Sequence, residues 1–195
     1  REEHGLDVYA KRGETEDEYY RNLKSTLTHN PDVIIDDGGD LISMIHKERE
    51  DLIEGIYGGA EETTTGIVRL RAMEKEGALR FPIISVNDAL MKHLFDNRYG
   101  TGQSTIDGLL TATNLQLSGK KFLVAGFGWC GRGIAMRAKG MGADVMVSEV
   151  DPIKAVEANM EGFEVLPSGE GIKKADFVVT ATGCKNAIGE EEIEN

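Results

Sequence analysis

Short apolar runs alternate with stretches whose apolar residues recur every three or four positions. Residues 33–35, 53–57, 81–86, 122–125, 143–148, 163–165 and 177–180 have strand length, and residues 7–10 suggest one more short strand. Thr15 and Glu18 have the spacing of a capping box ahead of a helix through Tyr19, Leu23 and Leu27. Three β-branched residues at 33–35 promise a buried strand, yet Asp36, Asp37, two glycines and Asp40 follow directly. Asp40 stands where it can cap the helix LISMIHKER. Thr63 or Thr65 can cap a helix through Val68, Leu70 and Met73. Strand–helix alternation of this kind predicts an α/β fold with parallel sheets. Residues 87–105, rich in Asn, Asp, Gly and Gln, break the rhythm, and Ser104 or Thr105 starts the next helix. The pattern therefore predicts two Rossmann-like parallel-sheet domains: residues 1–87, a junction at 88–104, and residues 105–195.

The run FLVAGFGWCGRG carries Gly126, Gly128 and Gly131 in GxGxxG spacing. That spacing is weak evidence alone. Here an apolar strand precedes it, a helix follows, and a second strand ends on Glu149 about 20 residues later, as a dinucleotide-binding loop requires. Gly126 permits the tight turn, Gly128 lets backbone approach a pyrophosphate, and Gly131 lets the helix pack on the strand. The helix start offers free N–H groups to the phosphates. Glu149 would accept from the adenosine ribose hydroxyls and repel a 2′-phosphate, which favours NAD over NADP. Trp129 and Cys130 occupy the variable positions of the loop, with Arg132 and Gly133 just beyond.

The net charge of −12 over 195 residues argues against a phosphate-backbone partner, and so against nucleic acid. No apolar run approaches the roughly 20 residues of a membrane span. Cys130 and Cys184 have no metal or disulfide-framework spacing, which suggests a reducing cytoplasm and no metal. A chain opening on REEHG and closing on EEIEN reads as a piece of a longer protein.

The run VNDALMKHLFDNRYGTGQSTIDGLLTATNLQLSGKKFLVAGFGWCGRG closely resembles the S-adenosylhomocysteine hydrolase family. So do DDGGDL, EETTTG, SEVDPIKAVEANMEGFEV and TATGC. The likeness covers the chain from about residue 31 onward, and its motifs in this order are highly specific. It implies a substrate-binding domain at 1–87, a hinge at 88–104 and an NAD domain at 105–195. It also implies bound NAD, a small nucleoside thioether as substrate, a homo-oligomer when full length, and a whole protein about twice this length.

The chemistry implied by the resemblance is oxidation at the ribose 3′ carbon, loss of the 4′ proton, elimination of homocysteine, addition of water and re-reduction. Asp37 matches the candidate base facing the sugar, and Glu62 matches the family's sugar-binding acid. Lys92 matches the lysine that takes the 3′-hydroxyl proton, a task that needs a lysine with a lowered pKa, as a nearby cationic nicotinamide would provide. Asp96 and Asn97 would orient Lys92 and bond the sugar or cofactor, while Thr63, Thr64 and Thr65 match residues on the nicotinamide side of NAD. Gly126, Gly128, Trp129, Cys130, Gly131, Arg132, Gly133 and Glu149 complete the expected cofactor contacts.

Three positions depart from the family pattern: Thr101 where a cysteine is common, Trp129 where an Asp is common, and Lys154 where an Asn is frequent. Some branches of the family prefer an inosyl substrate, so S-inosyl-L-homocysteine stands as the alternative. A catalytically silent NAD-binding relative fits less well, given Asp37, Lys92, Asp96 and Asn97. A 2-hydroxy acid dehydrogenase would explain the glycine loop but neither EETTTG nor DDGGD.

Overall fold

The computed structural model describes residues 5–193, and the chain divides into two compact units, residues 1–87 and 88–195. The fold is α/β with parallel sheets in both units.

The first unit has helix α1 (Glu16–Thr26), strand β1 (Val33–Asp36), helix α2 (Asp40–Glu48), strand β2 (Gly58–Glu61), helix α3 (Thr64–Lys75) and strand β3 (Ile83–Ser85). The strands form a parallel sheet in the order β1-β2-β3. Thr15 and Glu18 close the expected capping box on α1. Leu27, Ile34, Ile42, Ile45, Leu52, Ile53, Leu70 and Phe81 form the core.

Five expectations fail here, each for a physical reason. Residues 7–10 form no strand, and Leu6 and Val8 lie exposed; so short a run gains nothing without a ladder to join. The strand β1 is not buried on both faces: Ile34 is 2% exposed, but Val33 and Ile35 are 63% and 82% exposed, because alternate side chains point to opposite faces. Residues 53–57 are not a strand. A 3₁₀ turn (Glu50–Gly55) carries Leu52 and Ile53 into the core, and the strand starts later, at Gly58. A β-carbon on Gly59 would stand 2.9 Å from the Ile83 side chain and 3.1 Å from the Ile34 carbonyl oxygen, so the glycine lets the three strands close up. Asp40 is not the cap of α2. Gly39 holds that place, and Asp36 supplies the acceptor, taking the Ile42 N–H at 2.9 Å.

The fifth correction concerns the second unit, where no new helix starts at Ser104 or Thr105. A helical run begins at α4 (Leu90–Lys92), widens into a π-helical stretch (His93–Gly100) and continues as α5 (Thr101–Thr113). Then follow β4 (Lys121–Ala125), α6 (Trp129–Gly140), β5 (Asp144–Ser148), α7 (Pro152–Met160), β6 (Glu164–Val165), α8 (Ser168–Ile172), β7 (Phe177–Thr180) and α9 (Glu190–Ile193). The parallel sheet has the order β6-β5-β4-β7. The chain steps outward from β4 to β5 and β6, then returns to β7 on the other side. The carboxyl end of β4 is thus a topological switch point, the place where open α/β sheets bind ligands. Phe122, Val124, Ile134, Ala138, Val147 and Phe163 fill the core under it.

Candidate active site

In the first unit the carboxyl ends of β1 and β2 meet as register partners, Asp36 opposite Glu61. Both acids are buried, at 8% and 0% exposure. The residues just past the strands, Asp37 and Glu62, are less shielded; Asp37 is exposed and Glu62 half-buried. Asp36 accepts the Asp37 N–H at 3.0 Å through Oδ1. Glu61 Oε1 accepts the N–H groups of Gly38, at 2.8 Å, and Thr63, at 3.0 Å. Burial pushes the Asp36 carboxyl up, the amides of Ile42 and Asp37 oppose that, and the charges of Glu61 and Asp40 add to the push. Gly38, at φ 110°, takes the left-handed turn that reverses the chain into α2.

Arg69 of α3 ties the same turn down, giving Nη1 to the Gly38 carbonyl at 2.7 Å and to Asp40 at 2.6 Å, and Nη2 to Ser43 at 3.1 Å. Thr63 sits at the N-cap of α3 without a side-chain cap bond; Glu61 takes its amide instead. Thr64 and Thr65 are exposed on the first turn, and the Thr64 hydroxyl accepts from the buried Asn87 side chain at 3.0 Å. Glu61, Arg69 and Asn87 were not among the predicted site residues. The alternation of strand faces is the signal that separates Asp36 and Glu61 from their neighbours; Arg69 and Asn87 have no such signature.

In the second unit Lys92 gives Nζ to Asn97 Oδ1 at 2.6 Å and lies 3.8 Å from Asp96. The π stretch makes that bond possible. In an α-helix residues five apart stand about 140° apart around the axis. The wider turn, marked by the Thr101 N–H reaching the Asp96 carbonyl, brings i and i+5 onto one face. The Lys92 side chain is mostly shielded, at 14% exposure, while Asp96 is open at 64%.

The glycine loop caps β4. Gly126 has φ 100°, and a β-carbon there would stand 2.7 Å from the Ala181 carbonyl oxygen beyond β7. Gly131 lies against the Gly126 carbonyl, with 1.9 Å to a would-be β-carbon, so α6 packs directly on the loop. Gly133 is buried against Arg98 of the π stretch. Gly128 is the exception: a β-carbon on it would meet nothing within 4 Å. It is the N-cap of α6 and offers no side-chain cap, which leaves the first-turn N–H groups to a ligand or to water.

Glu149 reaches the loop from the end of β5. Its Oε2 accepts the Phe127 N–H at 2.6 Å, and Oε1 accepts those of Val150, at 2.7 Å, and Asp151, at 2.9 Å. Burial alone would raise this carboxyl, but the Asp151, Phe127 and Val150 amides, with Lys154 nearby, outweigh it and hold it below the usual carboxylate range. Arg132 pairs with Glu161, just past the end of α7, and its guanidinium lies 5.9 Å from the Trp129 ring. Trp129 also lies against His93, with ring centroids 5.4 Å apart. Cys130 lies 3.9 Å from the Thr101 hydroxyl, and exposed Lys154 sits 3.7 Å from Asp151.

Residues 97–195 match the family model for the NAD-binding domain of S-adenosyl-L-homocysteine hydrolase, and residues 2–54 match the model of that hydrolase itself. The chain belongs to the S-adenosyl-L-homocysteine hydrolase family. Among curated members it is 60% identical over 189 residues to the S-inosyl-L-homocysteine hydrolase of Methanocaldococcus jannaschii, covering 97% of this chain and 46% of that protein. It is also 60% identical over 190 residues to the adenosylhomocysteinase of Thermoplasma volcanium, with the same two coverages. The chain thus spans about half the length of the curated hydrolases it matches.

Solved structures show the fold alone. The pyruvate reductase of Chlamydomonas reinhardtii has a TM-score of 0.51 at 20% identity, covering 88% of this chain and 55% of that one. The dipicolinate synthase of Bacillus halodurans, represented by one of its polypeptides, has a TM-score of 0.51 at 17% identity, covering 68% and 46%.

The cofactor of the hydrolase NAD domain is NAD. The residues present fit it, since the one loop glycine with open space around it is Gly128, at the uncapped start of α6. Among the described residues no cluster suits a metal ion, and no helix is long and apolar enough to cross a membrane.

Proposed function

We propose that the protein containing this chain catalyses the reversible hydrolysis of S-adenosyl-L-homocysteine to adenosine and L-homocysteine. The observation that carries the reading is the Lys92–Asn97 bond of 2.6 Å in a hydrolase-family chain. Donating one N–H to Asn97 restrains rotation of the Lys92 amine about its Cε–Nζ bond. An amine held this way takes the proton of the substrate's 3′-hydroxyl. Asp37, exposed at the end of β1, removes the 4′ proton, and Glu62 accepts from the sugar hydroxyls. Asp96 bonds the same sugar and keeps Lys92 oriented.

NAD, when bound, supplies the hydride acceptor and donor, so the net reaction is not a redox one. Gly126, Gly128 and Gly131 would shape the loop that holds its pyrophosphate, with the first-turn amides of Trp129 and Cys130 as donors and Arg132 and Gly133 just beyond. Glu149 would hold its adenosine ribose, and Thr63, Thr64, Thr65 and Asn97 its nicotinamide end. The family resemblance supports a cytoplasmic homo-oligomer.

A second reading has its own support. Relatives named S-inosyl-L-homocysteine hydrolase match as well as those named adenosylhomocysteinase, at 60% identity in each case. Turnover of the full-length protein with the two thioethers in parallel decides. Higher kcat/KM for the adenosyl substrate supports the proposal, higher kcat/KM for the inosyl one replaces it, and turnover of neither sinks both.

A further inference from the structure

We propose that Glu61 is a positioning residue that sets Asp37 and Glu62 together, through one oxygen shared between their two turns. The inference rests on the reading that both acids meet the substrate's sugar. Glu61 Oε1 accepts the amide of Gly38, which follows Asp37, and that of Thr63, which follows Glu62. Asp36, its register partner, completes the arrangement: Oδ1 accepts the Asp37 amide at 3.0 Å, and its carbonyl accepts the Glu62 amide at 3.0 Å. Every backbone amide named here flanks or belongs to a substrate-side acid.

A packing role does not explain the choice of side chain. Glu61 is 0% exposed, and its Oε2 is buried with no hydrogen-bond partner. Burying a carboxylate with an unused oxygen is costly, and an apolar side chain of similar volume would fill the space without that cost. The fold also keeps room for the acid. A β-carbon on Gly66 would stand 2.2 Å from the Glu61 carboxyl carbon, so the final glycine of EETTTG is the space the carboxylate occupies. An acceptor able to join amides from two turns is what the acid adds.

The test uses the full-length protein with Glu61→Met, which keeps volume and removes the acceptor, and Glu61→Gln, which keeps an acceptor. Per folded molecule, Glu61→Met is expected to lower kcat/KM at least about ten-fold, with both kcat and KM moving, while Glu61→Gln stays within about three-fold of wild type. Wild-type kcat/KM in folded Glu61→Met overturns the proposal, and so does a folded Glu61→Gln that loses as much as Met. If Glu61→Met does not fold, Gly66→Ala takes its place by pressing the carboxylate off its amides: a ten-fold loss supports the proposal and none overturns it. Hydrogen exchange in peptides spanning residues 36–40 and 61–65 reads the bonds without turnover. Faster exchange in Glu61→Met than in Glu61→Gln is expected, and equal exchange refutes the tie. An inactive wild type with that exchange difference intact sinks the functional reading, not the tie.

Discussion

A β-carbon on Gly133 would stand 1.7 Å from the Arg98 carbonyl oxygen, whereas one on Gly128, five residues earlier, would touch nothing within 4 Å. Gly128 belongs to the loop motif, Gly133 lies just beyond it, and the two do different work. Gly133 lets α6 lie against the π stretch, and Gly102 of α5 adds to the contact, with 2.6 Å from a would-be β-carbon to the Gly133 carbonyl. Gly133→Ala is expected to destabilise the protein by about 1–3 kcal/mol through overpacking. Gly128→Ala is expected to leave Tm unchanged and to weaken NAD binding. Thermal unfolding and NAD titration of both variants check this; a stable Gly133→Ala or tight NAD binding by Gly128→Ala contradicts it.

Lys92 and Asn97 yield a kinetic prediction. Lys92→Ala in the full-length protein should lower kcat by about 10²–10⁴-fold, the range for a positioned acid–base group, with the circular dichroism spectrum unchanged. Asn97→Ala should cost less, because it leaves the amine present but unrestrained. Steady-state kinetics of the two variants tests the order; normal turnover by Lys92→Ala removes its assigned role.

The Glu149 carboxyl carries a pH signature. Its folded pKa lies below the ordinary 4.5, so the ionised group contributes stability above that value and loses it as pH falls through the folded value. Glu149→Gln should therefore flatten the decline of Tm below about pH 4.5 and lower Tm at neutral pH. Melting curves from pH 3 to 7 on both proteins check it, and parallel curves would contradict it.

Arg69 bonds the Gly38 carbonyl, Asp40 and Ser43 through a planar fork. Arg69→Ala should cost about 1 kcal/mol, a modest value because the group is partly exposed and salt screens the ion pair. Arg69→Lys should recover little, since an ammonium lacks the fork. Denaturant unfolding of the three proteins measures both effects.

The strand, glycine loop, helix and distant acid of the second unit were legible because each has a local signature. The capping box of Thr15 and Glu18 was legible for the same reason. Hidden features depended on neighbours in space. The start of β2 is set by the approach of Pro82, Ile34 and Ile83 to two glycines, not by the apolar run before it. The π stretch differs from an α-helix by one residue per hydrogen-bonded turn, which apolar periodicity over eight residues does not register. In DDGGD and EETTTG, composition marked the acids as important, but only the sheet register separates the buried member of each pair from the less shielded one.

Glu61 and Gly66 are a cast and its mould. A lineage that replaces the acid with a small residue is released from keeping glycine five positions on, and one that first acquires a side chain there must already have given up the acid. The two sites should be inherited as a unit: a descendant that keeps the acid beside a side chain at position 66 carries the strain, while one that keeps only the glycine carries none.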